Sequence, residues 1–196
     1  MKVFGLTGGV GMGKTTIAQW LRSQGVPVVD TDELARLLVV PGTAALAEIQ
    51  ARFGGAVIAP DGALRRDELA RIVFADALAR RQLEDILHPR IRDAWLAQVG
   101  VWRGESQPLA VVVIPLLFET GAESHFHKII CAACLAATQQ ARLAARHWTP
   151  EQQARRLAAQ WPVDRKMALA DYVLWTEGRP ESLHRQIAIL FAGLLP

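Results

Sequence analysis

The sequence predicts a three-layer α/β fold, a parallel sheet with helices on both faces. Three observations predict it. Short apolar runs at Val3–Leu6, Val26–Val29, Leu109–Ile114, Lys128–Ala132 and Tyr172–Trp175 alternate with helical patterns, the alternation that builds parallel sheets. The first run opens into Gly8-Gly9-Val10-Gly11-Met12-Gly13-Lys14-Thr15, and Thr15–Leu21 then reads as a helix. The longest interval without a strand, Thr31–Gln107, breaks into helical segments and reads as an insertion between two strands.

The glycine run matches G-x-x-x-x-G-K-[ST] at every position, in the strand–loop–helix setting that the chemistry needs. Glycines let a backbone wrap a polyphosphate with its N–H groups turned inward. The following helix N-terminus adds partial positive charge. Lys14 is expected to reach the terminal phosphates, and the Thr15 hydroxyl to ligate Mg²⁺ that arrives with ATP. The expected ATP-binding set is Gly8, Gly9, Gly11, Met12, Gly13, Lys14, Thr15 and Thr16.

A chain of 196 residues suits one α/β domain and can bury a sizeable core. Its apolar fraction of 51% and charged fraction of 21% are those of a globular protein. A formal charge of +3 without a basic cluster gives no footprint for nucleic acid, but it tolerates anionic small substrates. The apolar run Leu109–Phe118 is interrupted by Pro115 and is too short to span a membrane. No secretory leader fits before the glycine loop, so a cytoplasmic setting is expected. The two cysteines, Cys131 and Cys134, have C-x-x-C spacing, and a redox motif is the alternative to two buried free thiols. Zinc would need two further ligands, and none stands nearby at the usual spacing.

Along the insertion, Thr43 and Asp76 read as helix caps, Pro60-Asp61-Gly62 as a turn and Pro89 as a first-turn proline. Beyond the fourth strand, Ala137–Gln160 reads as two helices divided at Thr149-Pro150-Glu151-Gln152, a capping box with proline in the first turn. Arg142 and Arg146 are spaced i, i+4 and are expected to share a face. With Arg155 and Arg156 they are expected to close over bound phosphates as a lid; the alternative is a solvated helix face.

Asp30-Thr31-Asp32 follows the second strand. Ligands of open α/β sheets bind beyond the carboxyl ends of strands. One carboxylate can accept a hydroxyl proton there while the other orders Mg²⁺ or its waters. The alternative for Asp32 is a cap on the helix that follows. Pro115 stands after Val111-Val112-Val113-Ile114, where motor ATPases often carry an acid, and Glu119 is the nearest carboxylate. The chain contains no asparagine, so a guanine-reading Asn-Lys-x-Asp element is excluded. A small-molecule kinase remains.

The residues then resemble the dephospho-coenzyme A kinase family over nearly the whole chain. The similarity runs through Leu6–Thr16, Val29-Asp30-Thr31-Asp32 with Ala35-Arg36, Leu87-His88-Pro89-Arg90-Ile91-Arg92 and Ile114-Pro115-Leu116-Leu117-Phe118-Glu119. It ends on Arg142, Arg146, Gln160, Lys166 and Ala170-Asp171-Tyr172-Val173. The resemblance implies phosphoryl transfer from MgATP to the ribose 3′-hydroxyl of dephospho-CoA. It implies a P-loop NTPase core (1–33, 108–141 and 161–196), a helical CoA-binding region (34–107) and a lid (142–160). It gives catalytic roles to Asp32 as base, Lys14 and Arg142, adds Arg146 to the ATP site, and assigns substrate contacts to Asp30, Arg36, His88, Arg92 and Glu119. The chain departs from the family pattern at Met12, where serine is usual, at Ala132-Ala133-Cys134, and at Trp175-Thr176-Glu177, where Asp-Asn-Ser is usual. Another nucleotide or nucleoside kinase and a non-catalytic nucleotide-binding regulator are the alternatives.

Overall fold

Apolar runs buried on two sides have no polar face to show, and the strands here show none. In a computed structural model describing residues 1–146 and 148–194, five strands pair in parallel as β2-β3-β1-β4-β5. They are β1 Lys2–Gly8, β2 Val28–Asp30, β3 Leu109–Val113, β4 Lys128–Ala133 and β5 Tyr172–Trp175. Five of the expected runs are therefore strands, with only end residues shifted. Nine helices are described: α1 Lys14–Ser23, α2 Thr31–Leu37, α3 Ala44–Phe53, α4 Arg66–Ala75, α5 Ala77–Gly104, α6 Ala136–Ala144, α7 Pro150–Ala158, α8 Val163–Leu169 and α9 Pro180–Leu190.

The chain divides into two compact units, 1–30 with 99–196, and 31–98. In the first, alternate residues of β1 point to opposite faces. Phe4 and Leu6 join Ile17 and Leu21 of α1, Ile187 of α9 and its C-cap residue Phe191 in one buried cluster, and Phe4 meets Phe191 edge to face at 5.1 Å. Gly5 faces the other side, where a Cβ would stand 2.6 Å from Leu117 Cδ1. Asp171 sets the start of β5: its carboxylate takes Lys128 Nζ at 2.6 Å and the Ile129 N–H at 2.8 Å. The Lys128 contact holds that carboxyl below the usual aspartate range.

The second unit is helical around its own core, which includes Leu46, Ile49, Val57, Leu69, Val73 and Ile86. Thr43 caps α3 by accepting the Leu46 N–H. Asp76 Oδ1 takes the Leu78 N–H at the start of α5. Pro60-Asp61-Gly62 makes the turn, closed by Ala59 N–H to Ala63 O. Pro89 departs from expectation. It lies inside the 28-residue α5 instead of opening a helix, and His88 is therefore mid-helix. A proline there removes one backbone donor and crowds the preceding turn; Arg90 Nη1 donates to Ile86 O at 2.6 Å in that turn. Its Nη2 pairs with Glu48 of α3 at 2.6 Å.

No helix among the described residues is long and apolar enough to cross a membrane.

The first turn of the glycine loop sets a strict steric condition. Gly8 has φ 137°, and a Cβ there would stand 2.3 Å from the Ala132 carbonyl oxygen of β4. Backbone cannot retreat as a side chain can. Gly8→Ala is expected to cost about 3 kcal/mol or more from dihedral strain and overpacking together. In thermal melts that is a fall of about 6–12 °C for a chain this size; an unchanged Tm would show that the strand pair can part at no cost.

Candidate functional site

The loop leaves β1 at Gly8 and enters α1 at Gly13, a left-handed residue (φ 87°) in the N-cap position. Gly11 is also left-handed, at φ 76°. These conformations suit glycine. Lys14 folds back over the loop: its Nζ donates to Gly8 O at 2.7 Å and to Gly9 O at 2.9 Å.

The carbonyls of Val10, Gly11 and Met12 are met by side chains from far along the sequence. Gln139 Nε2 of α6 donates to Val10 O at 2.7 Å, and Gln160 Oε1 accepts the Val10 N–H at 3.1 Å. Arg142 Nη1 donates to Gly11 O at 3.3 Å. Thr176 Oγ1, just past β5, donates to Met12 O at 3.1 Å. Gly13 O takes the Ile17 N–H of α1. The Met12 side chain turns inward, where its sulfur accepts the Cys134 N–H at 3.2 Å and lies 3.4 Å from Cys134 Sγ. The methionine side chain is thus accommodated by packing against Cys134.

Arg142 also donates to Thr176 Oγ1 at 2.8 Å and to Thr176 O. Glu177 holds the other end of α6, accepting the Leu135 N–H and, at 3.0 Å, the Thr138 hydroxyl. Cys131 and Cys134 are buried free thiols, as the non-redox reading expects. Burial pushes the Cys131 thiol up to about 11, against the opposing charges of Lys166 and Lys14; burial likewise raises Cys134. The thiolate is the reactive form, so at pH 8 iodoacetamide should label neither thiol in the folded protein and both in urea.

The other expected residues separate by location. Asp30 ends β2 in register with Val113, which is itself in register with Leu6. It therefore stands level with Leu6, two residues before the end of β1, two strand spacings or about 10 Å across the sheet. Asp32 is the second residue of α2 and is exposed. It sits inside the helix's first turn, not before it, so the cap reading does not describe its position. Arg36 shares its helix face at i+4. His88 and Arg92 share a face of α5 in the same way. Thr15 and Thr16 are exposed in the first turn of α1.

Arg146 does not share a helix face with Arg142. The helix α6 stops at Ala144, and Arg146 lies past its cap, with its N–H on Leu143 O. Its guanidinium lies 5.2 Å from the centre of the Trp148 ring, and that of Arg156 lies 4.3 Å from the same ring. The division at Thr149-Pro150 is as expected, with both capping-box bonds formed.

Glu119 belongs to a buried pair. Lys166, fully buried, reaches Glu119 Oε1 at 2.8 Å and Pro115 O at 2.6 Å. The same Oε1 accepts the Trp161 N–H at 2.8 Å. Glu119 Oε2 is buried without a hydrogen-bond partner among the described residues. Removing one partner of such a pair leaves a charge stranded. Lys166→Met is expected to lower unfolding free energy by about 3–5 kcal/mol in urea melts, and Lys166→Met with Glu119→Gln to recover part of that. A loss under about 1 kcal/mol would return the pair to the modest energetics of surface contacts.

Sequence reasoning missed Gln139, Thr176 and Glu177. Gln139 looks like any polar residue on a helix, and no local pattern marks Thr176 or Glu177. Lys166 carried no local signal, since it follows Asp164 and Arg165 directly and reads as one more charge on a solvated helix.

Comparison with known proteins follows the same lines. The family model described as dephospho-CoA kinase matches residues 2–181. A dephospho-CoA kinase of Anaeromyxobacter dehalogenans is 46% identical over 195 residues, covering 99% of this chain and 92% of the relative. One of Geobacter sulfurreducens is 40% identical over 197 residues and covers 100% of both. Among solved structures, TT1252 from Thermus thermophilus superposes with a TM-score of 0.83 at 33% identity, over 100% of this chain and 98% of that one.

Proposed function

The chain belongs to the dephospho-CoA kinase family, and we propose that it transfers the terminal phosphoryl group of ATP to the ribose 3′-hydroxyl of dephospho-CoA, completing coenzyme A. The observation that carries this reading is the phosphate loop, whose carbonyls from Gly8 to Gly13 all have donors within the protein. Its N–H groups, with those of Thr15 and Thr16 at the start of α1, are the natural seat for the phosphates. Lys14 exchanges its carbonyl partners for the phosphate that moves and follows the charge there.

Magnesium fits the donor set. The exposed Thr15 hydroxyl is a hard oxygen at the loop, and Mg²⁺ takes its remaining ligands from phosphates and water; Asp30 would order one of those waters. When bound, the ion neutralises charge that develops on the phosphoryl oxygens. Asp32 accepts the proton from the acceptor hydroxyl. The transition state of such transfers is loose, so positioning and charge neutralisation outweigh the base. Arg142 and Arg146 bind phosphate from the lid. The second unit takes the acceptor, with Arg36, His88 and Arg92 for its polar and anionic parts. Glu119 enters through Oε2, the carboxylate oxygen that has no hydrogen-bond partner among the described residues. The two unpaired thiols suit a cytoplasmic setting.

Incubation with MgATP and dephospho-CoA should yield coenzyme A, with kcat/KM far above that for AMP or adenosine, because the pantetheine arm supplies remote binding energy. Preference for AMP would move the chain to the nucleotide kinases; ATP binding without turnover of any acceptor would make it a binding protein. Lys14→Ala should abolish turnover and weaken ATP binding, and a kcat near that of the parent would remove Lys14 from the mechanism. Asp32→Asn should cut kcat about 10²–10⁴-fold with KM for ATP little changed. An unmoved kcat there would leave the proton to water.

A further inference from the structure

Thr176 has more polar duties than one hydroxyl ordinarily carries. It is 5% exposed. Its N–H is bonded to Ala133 O at 2.8 Å, which extends the β4–β5 pairing by one residue. Its single hydroxyl proton serves Met12 O at 3.1 Å and Ala133 O at 3.3 Å. The same oxygen accepts Arg142 Nη1 at 2.8 Å, and its carbonyl accepts Arg142 Nη2. Its side chain fills the space beside Gly13, where a Cβ would meet Thr176 Cγ2 at 2.7 Å and Oγ1 at 2.9 Å. The helix-starting glycine and Thr176 are therefore fitted to each other.

A guanidinium has five N–H donors in a fixed plane. Three bonds, to Gly11 O, Thr176 Oγ1 and Thr176 O, fix that plane. The long arginine side chain would otherwise sample many rotamers. Thr176 removes that freedom before any nucleotide arrives, which is the way preorganisation lowers the cost of binding charge.

We propose that Thr176 is a positioning residue for phosphoryl transfer, with its hydroxyl and carbonyl orienting the Arg142 guanidinium while the same hydroxyl anchors the Met12 carbonyl of the phosphate loop. It acts through Arg142 and the loop and touches no substrate. Glu177 supports it by fixing the opposite end of α6, so the helix that carries Arg142 is held at both ends by consecutive residues. The proposal rests on the phosphate loop and Arg142 forming the ATP side of the kinase site.

The test is a double-variant cycle in the full chain with Thr176→Val, Thr176→Ser and Arg142→Lys. Valine keeps the shape and removes the hydroxyl; serine keeps the hydroxyl. Thr176→Val should lower kcat/KM for ATP about 10- to 100-fold, the loss expected for a hydrogen bond to a charged group. KM for dephospho-CoA should stay within about twofold, and Thr176→Ser should recover to within about threefold of the parent. In the Arg142→Lys background the valine change should cost at least about threefold less than in the parent, because the forked partner is already gone and only the Met12 anchor is still lost. Equal losses in both backgrounds, or equal changes in both KM values, would reduce Thr176 to a packing residue and overturn the proposal. So would full activity of Thr176→Val. If that variant does not fold, Thr176→Ala replaces it in the same cycle. Turnover of dephospho-CoA by the parent protein is measured first. If it is absent, the kinase reading fails by itself, and the cycle is then read in ATP affinity, where additivity overturns the proposal and non-additivity supports it.

Discussion

A loop that offers its peptide N–H groups to a polyphosphate must find donors for its carbonyls elsewhere, since each buried backbone acceptor left unpaired is costly. In this protein that requirement organises one end of the sheet. Lys14 serves Gly8 and Gly9, Gln139 serves Val10, Arg142 serves Gly11 and Thr176 serves Met12. The donors come from the start of α1, from α6 and from the end of β5. The strand order makes this possible. With β1, β4 and β5 adjacent, Gly8 lies in register with Ala132, and Ala133 lies in register with Trp175. Residues more than one hundred positions apart thus arrive within hydrogen-bond reach without any long loop to guide them.

A second network fixes the chain after β3. The Thr7 hydroxyl donates to Pro115 O at 3.2 Å, and Lys166 Nζ donates to the same carbonyl. Pro115 therefore ties the end of β1 to α8, and Glu119 carries the tie on to Trp161. A fully buried lysine is tolerated because its charge meets a carboxylate and a carbonyl together. Of the three consecutive charged residues of α8, Asp164 and Arg165 are exposed and Lys166 alone turns inward to that pair.

The sheet and the phosphate loop were legible in the sequence for physical reasons. A strand buried on both faces is a continuous apolar run, and a loop that needs left-handed residues advertises its glycines. The caps at Thr43, Asp76 and Thr149 were legible because capping is a local bond. Errors came where a local rule met a longer-range one. Pro89 satisfies the rule for a first-turn proline, yet Ile86 on the preceding turn packs into the core of the second unit, and burial outweighs the missing donor. Arg146 satisfies i, i+4 spacing with Arg142, yet α6 ends before it. Thr176 was illegible because nothing about a threonine after a strand announces a partner 164 positions away.

The three residues at the end of β5 and just past it, Trp175, Thr176 and Glu177, each bond to a different element. Trp175 gives its N–H to Gln186 Oε1 and takes Gln186 Nε2 on its carbonyl, both at 3.0 Å. Thr176 is bonded to the phosphate loop and to Arg142, and Glu177 to α6. Consecutive residues thus join α9, the loop and α6. Thr176 and Glu177 use their side chains for this, the one through its hydroxyl and the other through both carboxylate oxygens. Trp175 uses its backbone, so its indole is not needed for the junction, and it is correspondingly 42% exposed. A change of residue type at this segment is therefore compatible with the same loop geometry provided that a hydroxyl or amide at the middle position can both donate to a carbonyl and accept from a guanidinium. Threonine meets that condition with the added constraint of a branched side chain, whose stiff first torsion keeps Oγ1 from rotating away.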